Sequence, residues 1–154
     1  MPLPYAVLLC LHALAAALWV GGMAALMFAV RPAAVQTLEP PVRLAFMSAV
    51  LARFFSWVTA SIAVLVASGL AMIASAGGFD GVHWSVHAMF AIGLAMIVIF
   101  VAIRLGPFRV LRGAVEAREW PRAAANLESI RRGVGVNLVL GGAAFVVGIV
   151  ARVL

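Results

Sequence analysis

Charge is scarce in this sequence, and the little that is present lies outside the apolar segments. Only 10% of the 154 residues are charged, lysine is absent, and the five acidic residues all fall in connecting segments or at their boundaries. Soluble domains carry about 25% charged residues, so composition excludes an ordinary soluble fold. Ion-coupled pumps place carboxylates or lysines within their spans, which argues against a coupled transporter. The single cysteine, Cys10, excludes an internal disulfide.

Apolar residues, by contrast, make up 66% of the chain. Crossing the hydrocarbon core takes about 20 apolar residues per helix, and four runs are long enough. They are Tyr5–Val30, Phe54–Ala76, Val82–Ile103 and Gly133–Ala151. Short connections and an even number of helices predict one domain, residues 1–154, folded as an all-α integral membrane four-helix up-and-down bundle. The first run lacks a basic leader and is too long for a signal peptide, so we expect it to be a retained helix.

The basic residues predict the orientation. All eleven are arginines, and all except Arg152 flank the first and third connections. By the positive-inside rule that side is cytoplasmic, which places both termini outside. The same rule accounts for the net charge of +6, so we expect no nucleic-acid partner.

Proline and glycine positions predict the helix ends. Helix 1 is expected to end near Pro32, because proline disfavours a helical residue before it. The second helix is expected to begin with Pro41 in its first turn. The amphipathic stretch 107–118 predicts a cytoplasmic interfacial helix between helices 3 and 4, lying on anionic lipid. A further basic helix is expected to start at Trp120 and continue into the last span.

Three histidines are the candidate functional side chains. At about 1.5 Å per residue, His12 lies roughly 10 Å below the outer boundary and His87 roughly 7 Å below it. Two imidazoles at similar depth on different helices can bind one metal ion or lie on opposite sides of one haem iron. His83 lies one turn before His87, and Asp80, His83 and His87 would share a face if that helix began early, as a small divalent-metal site. In the alternative without a cofactor, His12 is hydrogen-bonded to a serine or carbonyl of a neighbouring helix.

Helical periodicity places small and polar residues together on three faces, which favours packing against other helices rather than lipid. Trp19 and the soft ligand Met23, which suits Cu(I), share the face of His12. The faces comprise Leu8, His12, Ala15, Ala16, Trp19 and Met23 in helix 1, Trp57, Ser61, Ser68, Met72 and Ser75 in helix 2, and Asn137, Gly141, Ala144 and Gly148 in helix 4.

Several motifs resemble the copper-resistance D (CopD) family in its small four-helix bacterial form. They comprise His12 followed by Trp19-Val20-Gly21-Gly22-Met23 and Arg31-Pro32, then Arg53-Phe54-Phe55, Ser68-Gly69-Leu70, His83 and His87, Phe108-Arg109-Val110-Leu111-Arg112, and Arg131-Arg132-Gly133-Val134-Gly135-Val136-Asn137. The resemblance therefore extends over nearly the whole chain.

This resemblance implies a bacterial inner-membrane protein that takes part in copper uptake or tolerance, and the distribution of the arginines predicts that its termini are periplasmic. It also implies membrane histidines as metal ligands, which carries over to His12 and His87. In the leading hypothesis their site lies near the periplasmic face, with Met23 as a soft third ligand, His83 as a further candidate and Trp19 shaping the pocket. Larger family members have additional helices and extracytoplasmic copper-binding partners. The absence of those helices favours a homodimer or a partner membrane subunit, supplied by a periplasmic copper donor.

Two other functions remain open at this stage. The first is a b-type haem-binding cytochrome or oxidoreductase with His12 and His87 as axial ligands. The second is a structural or partner-binding subunit without a cofactor. The sequence is also distantly similar to HemJ-type protoporphyrinogen oxidases, but that family is expected to carry a lysine in helix 3, and this chain has none.

Overall fold

The computed structural model describes residues 3–150, and in this range it is all-helical. Its elements are α1 (Leu3–Ala25), a π-helical turn (Leu26–Val30), α2 (Arg31–Thr37), α3 (Pro40–Ser75), a 3₁₀ turn (Phe79–Gly81), α4 (Trp84–Leu105), α5 (Pro107–Glu116) and α6 (Trp120–Val150). The predicted all-α four-helix fold is confirmed. The last residue of the fourth predicted span, Ala151, and Arg152 lie outside the described residues.

Four helical segments are long and apolar enough to cross a membrane. They are Leu3–Thr37, Pro40–Ser75, Trp84–Glu116 and Trp120–Val150. Many large apolar side chains on them point outward, including Leu14, Phe28 and Val139, which are 68%, 74% and 73% exposed. Such surface is costly in water and stable against acyl chains. The chain is therefore a multi-pass membrane protein whose outer surface contacts lipid.

The helices pack in two main pairs, α1 with α3 and α4 with α6, and α1 also lies along α6. One end of the bundle carries the arginines at 31, 43, 104 and 131, and we call it the arginine-rich end. The Ala76–His83 connection lies at the opposite end. The first helix therefore begins at the end of the bundle that holds the Ala76–His83 connection and runs toward the arginine-rich end.

Local chemistry explains why α3 has these bounds. Glu39 is extended, with φ −60° and ψ 149°, and Pro40 and Pro41 supply the first turn, where a missing N–H costs no hydrogen bond. At the other end Gly77 and Gly78 have φ values of 92° and 91°, which residues with a Cβ atom rarely adopt. The predicted start at Pro41 and the predicted end at the glycine pair agree with these bounds.

The first helix differs from its predicted end. It does not stop near Pro32 but continues through α2 to Thr37. The π-helical turn lies directly before α2, and such a turn widens the helix by one residue. Proline lacks an N–H and its ring crowds the carbonyl four residues earlier, so a wider turn lets the helix pass it.

Helix α5 also differs from its prediction in one respect. Its apolar residues Phe108, Leu111 and Ala114 are buried in the protein, against α6 and the aromatic core, rather than resting on lipid. Phe108 packs edge-on against Phe55 of α3, with ring centroids 4.9 Å apart. A separate helix between the third and fourth spans exists as predicted, with its arginines exposed.

Aromatic side chains fill the centre of the bundle. Phe55, which is 1% exposed, also packs edge-on against Phe100 of α4 at 5.4 Å, and Phe100 lies 6.2 Å from Trp19 of α1. Arg104 of α4 then donates hydrogen bonds of 3.0 Å to the Phe55 carbonyl and to Thr59 Oγ1. These contacts join α1, α3 and α4 near the arginine-rich end.

Candidate metal site

His12 lies on α1 toward the end of the bundle opposite the arginines, and it faces α3. Its Nδ1 lies 3.0 Å from Ser68 Oγ. A Cβ atom built on Gly69 would lie 3.3 Å from His12 Cε1, so the ring rests directly on the α3 backbone. Ser68 is 3% exposed, whereas the imidazole is half-buried. The small residues at 68 and 69 therefore make the space that the imidazole occupies.

The hydrogen bonds around Ser68 determine which His12 nitrogen is protonated. Ser68 Oγ donates to the Val64 carbonyl at 2.6 Å, and this shorter bond uses its only proton. The lone pairs of Oγ then face His12, so Nδ1–H donates and Nε2 keeps its lone pair in the neutral ring. The hydrogen bond between the imidazole and a side chain is made through Nδ1. A histidine that ligates a metal is held in this way by a bond from its other nitrogen.

Trp19 and Met23 continue the His12 face of α1, as predicted. Trp19 is 4% exposed and Met23 is 1% exposed, and both belong to the central apolar core. Met23 is three turns beyond His12 in an unbroken helix, which separates the two by about 16 Å along the axis. Its thioether therefore lies deep in the bundle, not beside the imidazole.

The packing of α1 against α6 shows at which level, meaning the height along the bundle axis, His12 lies. A Cβ built on Gly141 of α6 would lie 2.6 Å from Val20 Cγ2, so these two residues are in close contact. The helices run antiparallel, and His12 is just over two turns from Val20. Moving the same distance along α6 from Gly141 reaches the turn that contains Gly148. His12 is therefore level with that turn.

His87 on α4 reaches the same level by a separate contact. Met89, two residues later, packs on Gly148, with Met89 Sδ 3.3 Å from a Cβ built there. The His87 imidazole is exposed, and its centroid lies 5.7 Å from the Phe79 ring. His12 and His87 are thus level with one turn of α6, but their rings have different neighbours, α3 for His12 and Phe79 for His87.

His83 caps the N-terminal end of α4. It is the N-cap residue, with φ −65° and ψ 152°. Its Nδ1 lies 3.0 Å from Ser85 Oγ and accepts a 3.5 Å hydrogen bond from the Ser85 N–H. Because α4 begins only at Trp84, the shared face of Asp80, His83 and His87 does not form. In the described part of the chain, no three His, Cys, Asp or Glu side chains are grouped so that they could hold a metal ion.

Of the other predicted packing faces, that of the last span agrees best with the structure. Asn137 is 2% exposed, and its Nδ2 donates a 3.0 Å hydrogen bond to the Met96 carbonyl of α4. Within residues 3–150 its Oδ1 has no hydrogen-bond partner. On α3 the prediction is right for Ser61 and Ser68, which are buried, and wrong for Trp57, which is 65% exposed, and for Ser75, which is also exposed.

Comparison with known protein families gives a match over most of the chain. The model of the family described as Copper resistance protein D matches residues 48–151, which is more than half of the chain. The matched part includes His83 and His87 and begins after His12. No curated protein and no solved structure matches the chain.

Proposed function

The chain belongs to the copper resistance protein D family, and on that premise we propose that it handles copper in the bacterial inner membrane, in uptake or tolerance. The observation that carries the proposal is the His12–Ser68 pair. Imidazole nitrogen is a good copper ligand, and Ser68 leaves the Nε2 lone pair of His12 available. An ionisable side chain within a span is costly, which favours a functional role for this histidine.

His87 is the proposed second ligand. It is level with His12 through the Gly148 turn, and its exposed imidazole is not committed to a helix cap, unlike His83. Ligation by both rings requires the exposed His87 side chain to rotate toward α1, or a second subunit to supply one of the two rings. The latter fits the proposed homodimer or partner subunit.

In the same proposal, Met23 and Trp19 act deeper in the bundle than His12. Met23 is a soft thioether ligand, and it is buried about 16 Å further along α1 than His12. We propose that copper from a periplasmic donor binds at His12 first and that Met23 is a second, deeper ligand. Trp19 lies between the two positions and shapes the space below the imidazole.

Haem is the competing occupant, because two histidines at one level are also the arrangement of a bis-histidine cytochrome. In that case His12 and His87 are the axial ligands of haem b. One measurement separates the two occupants: the visible spectrum and metal content of the detergent-purified protein after expression with both copper and haem supplied. Copper without a Soret band supports the copper proposal, and a Soret band lost in His12→Ala replaces it with the haem function.

Variants of the three histidines assign the ligands. We expect His12→Ala to abolish copper binding and His87→Ala to weaken it. His83→Asn is the matched control, because asparagine keeps the N-cap and removes only the imidazole. Copper retained by both His12→Ala and His87→Ala would overturn the histidine site, and copper lost in His83→Asn would make His83 the second ligand. A protein that takes up neither copper nor haem would be a structural subunit.

The proposed orientation puts the His12 end in the periplasm and the arginine-rich end in the cytoplasm. Two exposed positions at opposite ends test it, Asp80 and Thr37, in a Cys10→Ser background. A membrane-impermeant maleimide added to spheroplasts should label Asp80→Cys and leave Thr37→Cys unlabelled until the cells are lysed. The reverse pattern would overturn the orientation.

A further inference from the structure

A cleft at the arginine-rich end lies between α2, α3 and α6, far from the proposed copper site. Its volume is about 270 Å³, and Arg31, Arg43 and Glu128 line it together with apolar residues that include Leu44 and Leu127. Arg31 is about 28 Å along the helix axis from His12. Since one water occupies about 30 Å³ in the liquid, the cleft has room for a polyatomic ligand.

Two arginines from different helices line this cleft, and neither has a carboxylate partner within the described residues. Arg31 on α2 and Arg43 on α3 are both half-buried, and neither takes part in an ion pair within residues 3–150. The one carboxylate of the cleft, Glu128, is already bonded by Arg131 and Arg132 of its own helix. The cleft therefore keeps an excess of positive charge.

Topology alone does not require this arrangement. The positive-inside rule requires only that arginines lie on one side of the membrane, and exposed ones such as Arg53 satisfy it. Partial burial of an unpaired charge is unfavourable unless a counter-ion compensates it. In addition, the π-helical turn that carries helix 1 past Pro32 ends directly before Arg31, and such turns are frequent at functional sites.

We infer that this cleft binds a phosphate group, held between Arg31 and Arg43. The planar guanidinium group of arginine can donate two parallel hydrogen bonds to a pair of phosphate oxygens. These bonds are strong because both groups are charged. Leu44, which is 4% exposed, and Leu127 provide an apolar wall on which glycerol or the first methylenes of an acyl chain can rest. The phosphate can belong to an anionic lipid headgroup or be a free phosphate ion.

The test uses the full chain purified in an uncharged detergent. Phosphatidylglycerol, phosphatidylcholine with the same acyl chains, and inorganic phosphate are titrated separately, and the apparent affinity is taken from the shift in Tm. Arg31→Gln and Arg43→Gln should each weaken phosphatidylglycerol binding about tenfold or more, because each removes a charged hydrogen-bond donor. Arg53→Gln, which removes the same charge from an exposed position on α3, is the matched control and should change the affinity less than about twofold.

Each outcome decides the proposal. Inorganic phosphate that binds and displaces phosphatidylglycerol identifies a general phosphate site, and binding of phosphatidylglycerol alone identifies a lipid headgroup site. Equal effects of Arg43→Gln and Arg53→Gln would overturn the proposal, since the attraction would then be unspecific. If the glutamine variants fail to fold, the wild type still decides: no preference for phosphatidylglycerol over phosphatidylcholine and no effect of phosphate would overturn it as well.

Discussion

His12 and Ser68 connect α1 to α3 through a 3.0 Å hydrogen bond in the half of the bundle opposite the arginine-rich end. The Ser68 hydroxyl donates to the Val64 carbonyl, so the imidazole donates to Ser68 through Nδ1. One serine thereby fixes both the orientation of the ring and the nitrogen that remains available. The candidate site depends on this pair more than on any other contact.

Replacing Ser68 should weaken copper binding while the fold is retained. Ser68→Ala removes the acceptor of Nδ1–H, and loss of such a partner typically costs about 10- to 100-fold in metal affinity. Ser61→Ala is the control: Ser61 is also buried on α3, but its hydroxyl donates to the carbonyl of Trp57, and within residues 3–150 it makes no hydrogen bond to a histidine. Titration with Cu(I) in competition with a chelator measures both. Equal affinities for the two variants would mean that Ser68 does not position a ligand.

Close approach of α6 to α1 predicts a second effect. A Cβ on Gly141 would lie 2.6 Å from Val20 Cγ2, whereas one on Gly142 has no neighbour within 4 Å. Gly141→Ala should therefore lower the free energy of unfolding by about 1–3 kcal/mol, the usual cost of overpacking. Gly142→Ala should leave it unchanged or raise it by up to about 1 kcal/mol, because alanine favours the helix. Unfolding in mixed micelles compares the pair, and an equally stable Gly141→Ala would contradict the close contact.

The hydrogen bonds of Arg104 predict that this side chain holds α3 and α4 together at the arginine-rich end. Its guanidinium donates to the Phe55 carbonyl and to Thr59 Oγ1, both at 3.0 Å. Arg104→Gln should cost about 1–3 kcal/mol, because a charged hydrogen bond and its geometry are lost. Arg109→Gln removes an exposed charge of α5 and should cost less than about 0.5 kcal/mol. Denaturant titration distinguishes the two, and equal stability of both variants would mean that the Arg104 contacts contribute nothing.

Features encoded by neighbouring residues were predicted well. The four apolar segments, the start of α3 at two prolines and its end just before Gly77 follow from composition and turn chemistry, which act within a few residues. The end of the first helix at Pro32 was predicted wrongly. Proline stops a helix of regular pitch, and the sequence gives no sign of the π-helical turn that relieves the crowding.

Features that depend on what an apolar face touches were predicted less well. Phe108 and Leu111 are buried against protein, and Trp57 is exposed, although all three are apolar residues in a membrane chain. Lipid is as apolar as the protein interior, so hydropathy does not distinguish the two environments. The periodicity of α1 correctly grouped Trp19 and Met23 with His12, but its contact with Ser68 depends on the rotation and register of two helices.

The environment of Asn137 predicts that two substitutions at the centre of the bundle have effects of very different size. It is 2% exposed, and its Nδ2 donates to the Met96 carbonyl, while Oδ1 has no partner within the described residues. Asn137→Leu keeps the number of side-chain heavy atoms and removes the unsatisfied oxygen, so the free energy of unfolding should fall by less than about 1 kcal/mol or rise. Asn137→Asp puts a carboxylate into the same space and should destabilise by about 2.5–3.5 kcal/mol. Thermal unfolding in one detergent compares them, and a leucine variant as unstable as the aspartate variant would show that Oδ1 has a bound partner, such as an internal water.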